Sequence, residues 1–171
     1  MLGEVEEELK RMEEGKIIQA VTEPAERVAP IIPVVKPNGK IRICVDLKKL
    51  NQAVRRERYV IPTVDDVIHE VKGSSVFSKL DVASGFWQIS LDRESAKLTT
   101  FITPFGRYLF THLPSGISSA PEIFQRIMNE ITSAIKGDDI LCHSATTEEH
   151  TLLLTQVKKR LQDIGLHAVK Q

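Results

Sequence analysis

The sequence predicts an α+β fold with an antiparallel sheet, on three observations. Two stretches, "IIPVVKPNGKIRICVDL" and "KLTTFITPFGRYLFTHL", set apolar runs on either side of a turn, as hairpins do. Four other stretches carry helical periodicity behind capping or stop signals. Strand and helix segments interleave along the chain with the hairpins among them, which points to α+β.

Taken in order, residues 4–14 form a helix with Val5, Leu9 and Met12 on one side, stopped by Gly15. Pro24, Pro30 and Pro33 mark the next stretch as an extended connector. The first hairpin turns at "KPNG". In its second strand Ile41, Ile43 and Val45 alternate with Arg42, Cys44 and Asp46, so one face is apolar. Thr63 and Asp66 make a capping box for a helix over 64–72, which Gly73 ends. "SVFSKLDVASGFWQISL" reads as strand. The second hairpin turns at Pro104–Gly106. Ser119 and Glu122 form another capping box, opening a helix with Phe124, Ile127, Met128, Ile131 and Ile135 in one stripe. The last helix starts behind Thr146 and Glu149, buries Leu153, Leu154, Val157, Leu161 and Ile164, and ends at Gly165.

The 171 residues suit one domain, and the 42% hydrophobic and 27% charged content is that of an ordinary globular chain. Basic and acidic residues number 23 each. That balance argues against strong autonomous nucleic-acid binding, which feeds on a basic surplus, and leaves local basic patches open. Cys44 and Cys142 form neither a disulfide framework nor a zinc spacing, so an intracellular, reducing setting, cytoplasm or nucleus, is expected. The acidic start "MLGEVEEELKRMEEG" is unlike a signal or transit peptide, and no 18-residue apolar run suggests a membrane partner.

Three aspartates stand where acids are expensive. Asp81 follows the apolar "VFSKL", and Asp138 and Asp139 lie between apolar segments before "ILC". Carboxylates in such settings need a cation or donor partner. Two-metal phosphoryl or nucleotidyl transfer gathers separated aspartates in this way, because hard divalent cations take oxygen ligands. Taken singly, each signal more often marks turn or strand-end chemistry than catalysis.

Five blocks in order change that reading: "VVKPNGKIRICVDLKKLN", "FSKLDVASGFWQI", "KLTTFITPFGRY", "LPSGISSAPEIFQRIMNEI" and "DDILCHSATTEEH". Together, over about residues 4–170, they resemble the fingers and palm of a reverse transcriptase, most closely that of gypsy-type LTR retrotransposons, a group similar to retroviral polymerases. The resemblance implies one partial reverse transcriptase domain over 1–171. Fingers would cover about 1–76 and 89–112, and a palm of antiparallel sheet packed on helices about 77–88 and 113–171. It implies RNA-directed DNA polymerase chemistry with Mg²⁺, or Mn²⁺ in its place, on an RNA or DNA template-primer and deoxynucleoside triphosphates.

Residue by residue, the resemblance makes Asp81, Asp138 and Asp139 the catalytic acids. Asp81, the Val82 carbonyl and Asp138 would hold metal, with Asp139 in support. Phe86 matches the aromatic gate that excludes a 2′-hydroxyl. Lys36 and Arg42 match the hairpin that clamps the triphosphate, where a guanidinium grips phosphate bidentately. Ser115 and Gly116 line the nucleotide, while Asn51 and Gln125 touch template or primer. Gln125 reads alternatively as an exposed helix residue, and Lys170, near a family lysine for pyrophosphate protonation, reads as an ordinary lysine.

The chain departs from the family in places. Ser115 stands where Phe or Gln is usual, and Arg27 where many relatives have Trp. The stretch before Asp138 is short by roughly five residues, about 16 Å of strand at about 3.3 Å per residue. Either the helix opening at Pro121 unwinds early or the hairpin loses its first strand, and both expectations carry Asp138 away from Asp81. A primer-grip hairpin, thumb, connection and RNase H are expected to be absent from this chain, with RNase H and integrase downstream in a longer polyprotein. The alternative reading is a non-catalytic relic, or a co-opted binding module, that keeps the scaffold.

Overall fold

The computed structural model describes residues 2–56, 59, 63–82, 84–131, 135–136, 139–163, 166 and 169–170. The first elements are α1 (Leu2–Glu14), β1 (Ile18–Ala20), β2 (Ala29–Val35), β3 (Ile41–Val45) and α2 (Lys48–Asn51). Next come α3 (Val64–Glu70), β4 (Val76–Asp81), a 3₁₀ turn (Gly85–Gln88), α4 (Arg93–Leu98), β5 (Phe101–Thr103) and β6 (Gly106–Phe110). The chain continues with α5 (Ala120–Ile131), β7 (Ile135–Lys136), β8 (Asp139–Ser144), α6 (Thr147–Asp163) and β9 (Val169–Lys170). Two compact units result: Met1–Arg55 with Ile89–Ala120, and Arg56–Gln88 with Pro121–Gln171.

The first unit holds a five-stranded sheet in the order β1-β6-β5-β2-β3. Its pairs are antiparallel except β2 with β5, which run parallel through Ala29↔Phe101 and Pro30↔Ile102. Val5, Leu9 and Met12 of α1 are buried, as are Ile18, Ile41, Ile43, Phe101 and Phe110 of the sheet. Burying each such side chain contributes about 1.5–3 kcal/mol. Pro30, expected in the connector, lies inside β2 instead, as does Pro33, where the connector and the first hairpin were read to overlap. The ladder explains why Pro33 is tolerated. Asp46 N–H donates to the Pro30 carbonyl and Lys36 N–H to the Lys40 carbonyl, so even-numbered residues of β2 face β3. Pro33, being odd-numbered, turns its donor-less nitrogen away from that ladder.

The second unit holds a four-stranded antiparallel sheet, β7-β8-β4-β9. Its centre is a six-pair register between β4 and β8, from Val76↔Ser144 to Asp81↔Asp139. Alternation puts Ser78, Leu80, Ile140 and Cys142 on one buried face, and α6 packs on both strands. Phe77, on the other face, is half exposed.

Several expectations are corrected. The stripe that placed Ile135 on the helix fails, because α5 ends at Ile131 and Ile135 pairs with Ile140 in β7. Helix α5 is described as far as Ile131, and the short strand Ile135–Lys136 stands in front of β8. "KLTT" opens as helix, not strand: the Asp92 carboxylate accepts from the backbone of Glu94 and Ser95 and caps α4. "SGFWQ" forms a 3₁₀ turn where strand was expected. In α6 the buried residues are His150, Val157 and Leu161, while Leu153 and Leu154 are half-buried. Ile164 and Gly165 lie outside the described residues. The described helices include none long and apolar enough to cross a membrane.

Candidate functional site

In the second unit, Asp81 ends β4 and is half-buried, and Asp139 opens β8 directly opposite it. Directly opposed positions share one face of a sheet, with Cβ atoms about 4.5–5.5 Å apart. Asp138 lies outside the described residues. Val82, one residue beyond Asp81, is buried. On the far side of β4, Asp81 also pairs with Val169 and Leu80 with Lys170. Carboxylate and carbonyl oxygens are the donor type Mg²⁺ or Mn²⁺ prefers, but among the described residues no group of three or more His, Cys, Asp or Glu is placed to hold a metal ion.

The turn after β4 is tightly built. Ser84 takes a φ of 54°, the left-handed region that non-glycine residues rarely occupy. A Cβ on Gly85 would come within 2.7 Å of two ring carbons of Phe124, so only glycine fits there. Phe86 is half-buried with its ring edge-on to Phe124, centroids 5.5 Å apart and planes at 85°. Such a pair adds about 0.5–1.5 kcal/mol beyond area burial and fixes the ring's direction.

Gln125 is 1% exposed, so the exposed alternative for it is set aside. Its amide donates to Asn129 Oδ1 at 2.7 Å, and Asn129 Nδ2 donates to the Tyr59 hydroxyl at 3.0 Å. One helical turn earlier the Arg56 guanidinium donates to Glu122 Oε1, holding that buried carboxyl below its ordinary range. Glu122, read from the sequence as half of a capping box, is thus an ion-pair partner.

In the first unit, Lys36 is exposed at the β2–β3 turn. Arg42, exposed on β3, donates from Nη2 to Ser115 Oγ at 3.0 Å. Asn51 clamps the following loop from both ends of its amide. Its Nδ2 donates to the Gly116 carbonyl and its Oδ1 accepts from Ser118 N–H, both at 2.8 Å. Gly116 sits at φ 109°, where an L side chain would be strained. The serine at position 115 therefore makes a specific contact with the arginine expected to meet phosphate.

Sequence reasoning missed a buried polar bridge. His150 Nε2 lies 2.8 Å from Ser78 Oγ, and Nδ1 lies 3.1 Å from Ser144 Oγ. One signal was available. Extending the Leu153/154–Val157–Leu161 stripe back by one turn lands on His150, a polar residue at a core position.

The profile of the family described as reverse transcriptase (RNA-dependent DNA polymerase) matches residues 34–171. The enzymatic polyprotein of cauliflower mosaic virus (strain Strasbourg) is 33% identical over 173 residues, covering 95% of this chain and 25% of that protein. The retrovirus-related Pol polyprotein from transposon 297 of Drosophila melanogaster is 32% identical over 174 residues, covering 95% of this chain and 16% of that protein. Among solved structures, a foamy viral protease-reverse transcriptase in complex with an RNA/DNA hybrid superposes with a TM-score of 0.86 at 20% identity. It covers 98% of this chain and 23% of that one. The chain belongs to the reverse transcriptase family and has its mixed α/β fingers–palm fold. It spans a quarter or less of the length of these polyproteins.

Proposed function

We propose that this chain is the fingers–palm part of a gypsy-type retroelement polymerase, adding deoxynucleotides to a primer on an RNA or DNA template. The first unit would supply most of the fingers and the second most of the palm. The observation that carries the reading is the register pair Asp81↔Asp139, which brings two widely separated acids to one end of the β4–β8 ladder. Asp81, the Val82 carbonyl and Asp138 would hold Mg²⁺ or Mn²⁺, with Asp139 in support. A divalent ion held there would supply the Lewis acidity that activates a primer 3′-hydroxyl and stabilises a leaving pyrophosphate.

The chain's own residues do the rest. Arg42 and Lys36 bind the triphosphate, and Ser115 holds the Arg42 guanidinium in one direction. Phe86, pinned by Phe124, excludes a 2′-hydroxyl. Asn51 and Gln125 act through what they hold, Asn51 the 116–118 loop and Gln125 the α5 network. The partners are a template-primer and deoxynucleoside triphosphates, with RNase H and integrase domains elsewhere in a polyprotein like those of the relatives.

A second reading, a non-catalytic relic or co-opted binding module, is favoured by the shortness of β7 (Ile135–Lys136) ahead of β8. Primer extension on a polyribonucleotide template with Mg²⁺ or Mn²⁺ separates the two. Extension that disappears in the Asp81→Asn, Asp138→Asn double variant supports the polymerase. Extension that persists in the variant, or none in the unaltered chain, leaves the relic.

A further inference from the structure

We infer that His150 is a positioning residue that locks the register of β4 against β8, on which the Asp81↔Asp139 pairing depends. Its effect on metal and catalysis rests on the polymerase reading; its effect on register does not. His150 is 5% exposed in the first turn of α6, and it reaches both strands from the covered face of the sheet.

The hydrogen bonds run in one direction. The Ser144 hydroxyl spends its proton on the Thr146 carbonyl at 2.9 Å, so toward His150 it can only accept. Nδ1 therefore carries the ring proton. Nε2, left with its lone pair, accepts from the Ser78 hydroxyl. The chain Ser78→His150→Ser144→Thr146 leaves neither ring nitrogen unsatisfied, and buried chains of this kind are costly to break.

The register argument follows from the pairing. Ser78 opposes Cys142 and Ser144 opposes Val76, so both serines lie on the α6 face, and position 81 with position 139 on the other. A slip of one residue would turn every position of β8 over. Ser144 would leave the α6 face and position 139 would leave the face of Asp81. Ser75 and Ser74 tie the far end of the ladder, through the Ala145 carbonyl and His143 Nδ1. His150 alone among these ties reaches Ser78, three residues from Asp81.

The test uses the full chain. Ring ¹⁵N shifts should report the Nδ1–H tautomer. Amide exchange at Leu80, Asp81, Ile140 and Leu141 should quicken at least tenfold in His150→Leu and in the milder Ser78→Ala. It should stay near the unaltered rate in His150→Gln, whose amide offers one donor and one acceptor. Exchange in α5 should change little, which separates a slipped register from general loosening. An Nε2–H tautomer, or β4–β8 exchange unchanged in both His150→Leu and Ser78→Ala, overturns the inference. So does equal quickening throughout the unit. Mn²⁺ broadening of the Asp81 amide tests the underlying reading separately. The inference expects about tenfold weaker Mn²⁺ binding in His150→Leu. If the unaltered chain shows no broadening, the polymerase reading fails while the exchange result still decides the register.

Discussion

At the scale of single residues, the turn after β4 is governed by volume. Gly85 is buried, and its missing Cβ is the space that two carbons of the Phe124 ring occupy. Gly85→Ala must push that ring, and with it Phe86, off their edge-to-face packing. Overpacking of this kind costs about 1–3 kcal/mol, and the shift should appear as a lower urea midpoint with an unchanged slope. If Phe86 is the sugar gate, the same variant should also discriminate less well between deoxy- and ribonucleotides in single-turnover incorporation. An unchanged midpoint would mean that the ring yields freely. Only the motif pointed to position 85 in the sequence. That the constraint is a ring from a helix 39 positions away became visible only in three dimensions.

At the scale of elements, helix ends and polar ties decide where secondary structure begins. Thr63 accepts from Asp66 N–H, and the Asp66 carboxylate takes the Thr63 N–H at 2.7 Å in return. Thr63→Ala should cost about 1 kcal/mol, read by denaturant melting, with amide exchange quickening first in α3. The Arg56–Glu122 pair makes a different prediction. Its carboxyl titrates below the ordinary glutamate range when folded, chiefly through the Arg56 hydrogen bond. A carboxyl with a depressed folded pKa contributes stability that is complete above its unfolded pKa and disappears as pH falls through the folded value. The unaltered chain should therefore lose stability more steeply than Glu122→Gln between about pH 5 and pH 3, and the curves should run parallel near neutrality. Parallel curves at every pH would deny the pair its role.

Elements of this kind were unevenly legible in the sequence. The α3 capping box and both hairpin turns are local chemistry, and they stand where the residues indicate. The Asp92 cap is equally local but hides behind an apolar run that suggests strand. Helix α5 could not be ended from its sequence, because Ile135 fits the helical stripe and yields only to pairing with Ile140. The Asp81↔Asp139 register is likewise a property of two strands that no local pattern fixes, and the His150 bridge left only a faint trace, a polar residue where the α6 stripe continues back by one turn.

At the scale of the molecule, the zero formal net charge conceals a strong segregation within the first unit. Helix α1 carries Glu4, Glu6, Glu7, Glu8, Glu13 and Glu14 against Lys10 and Arg11. Those two cations are already engaged, Lys10 with Glu6 and Arg11 with Glu8, both at 2.7 Å. From Lys36 to Lys49 the balance reverses, with Lys36, Lys40, Arg42, Lys48 and Lys49 exposed against a single Asp46. A neutral chain casts little long-range field, so a grip on a template-primer must come from local clusters such as this one. Removing one cation that neutralises a phosphate takes about 0.9 off the slope of log K against log salt. In a fluorescence titration over a salt series, the Lys48→Ala, Lys49→Ala pair, exposed cations of this cluster that the triphosphate does not use, should flatten that slope by about two units and weaken binding to all sequences alike. The Lys10→Ala, Arg11→Ala pair removes the same formal charge from the acidic helix and should leave the slope where it was. Equal flattening in both would mean that binding follows bulk charge, and the 36–49 cluster would lose its claim to the template-primer.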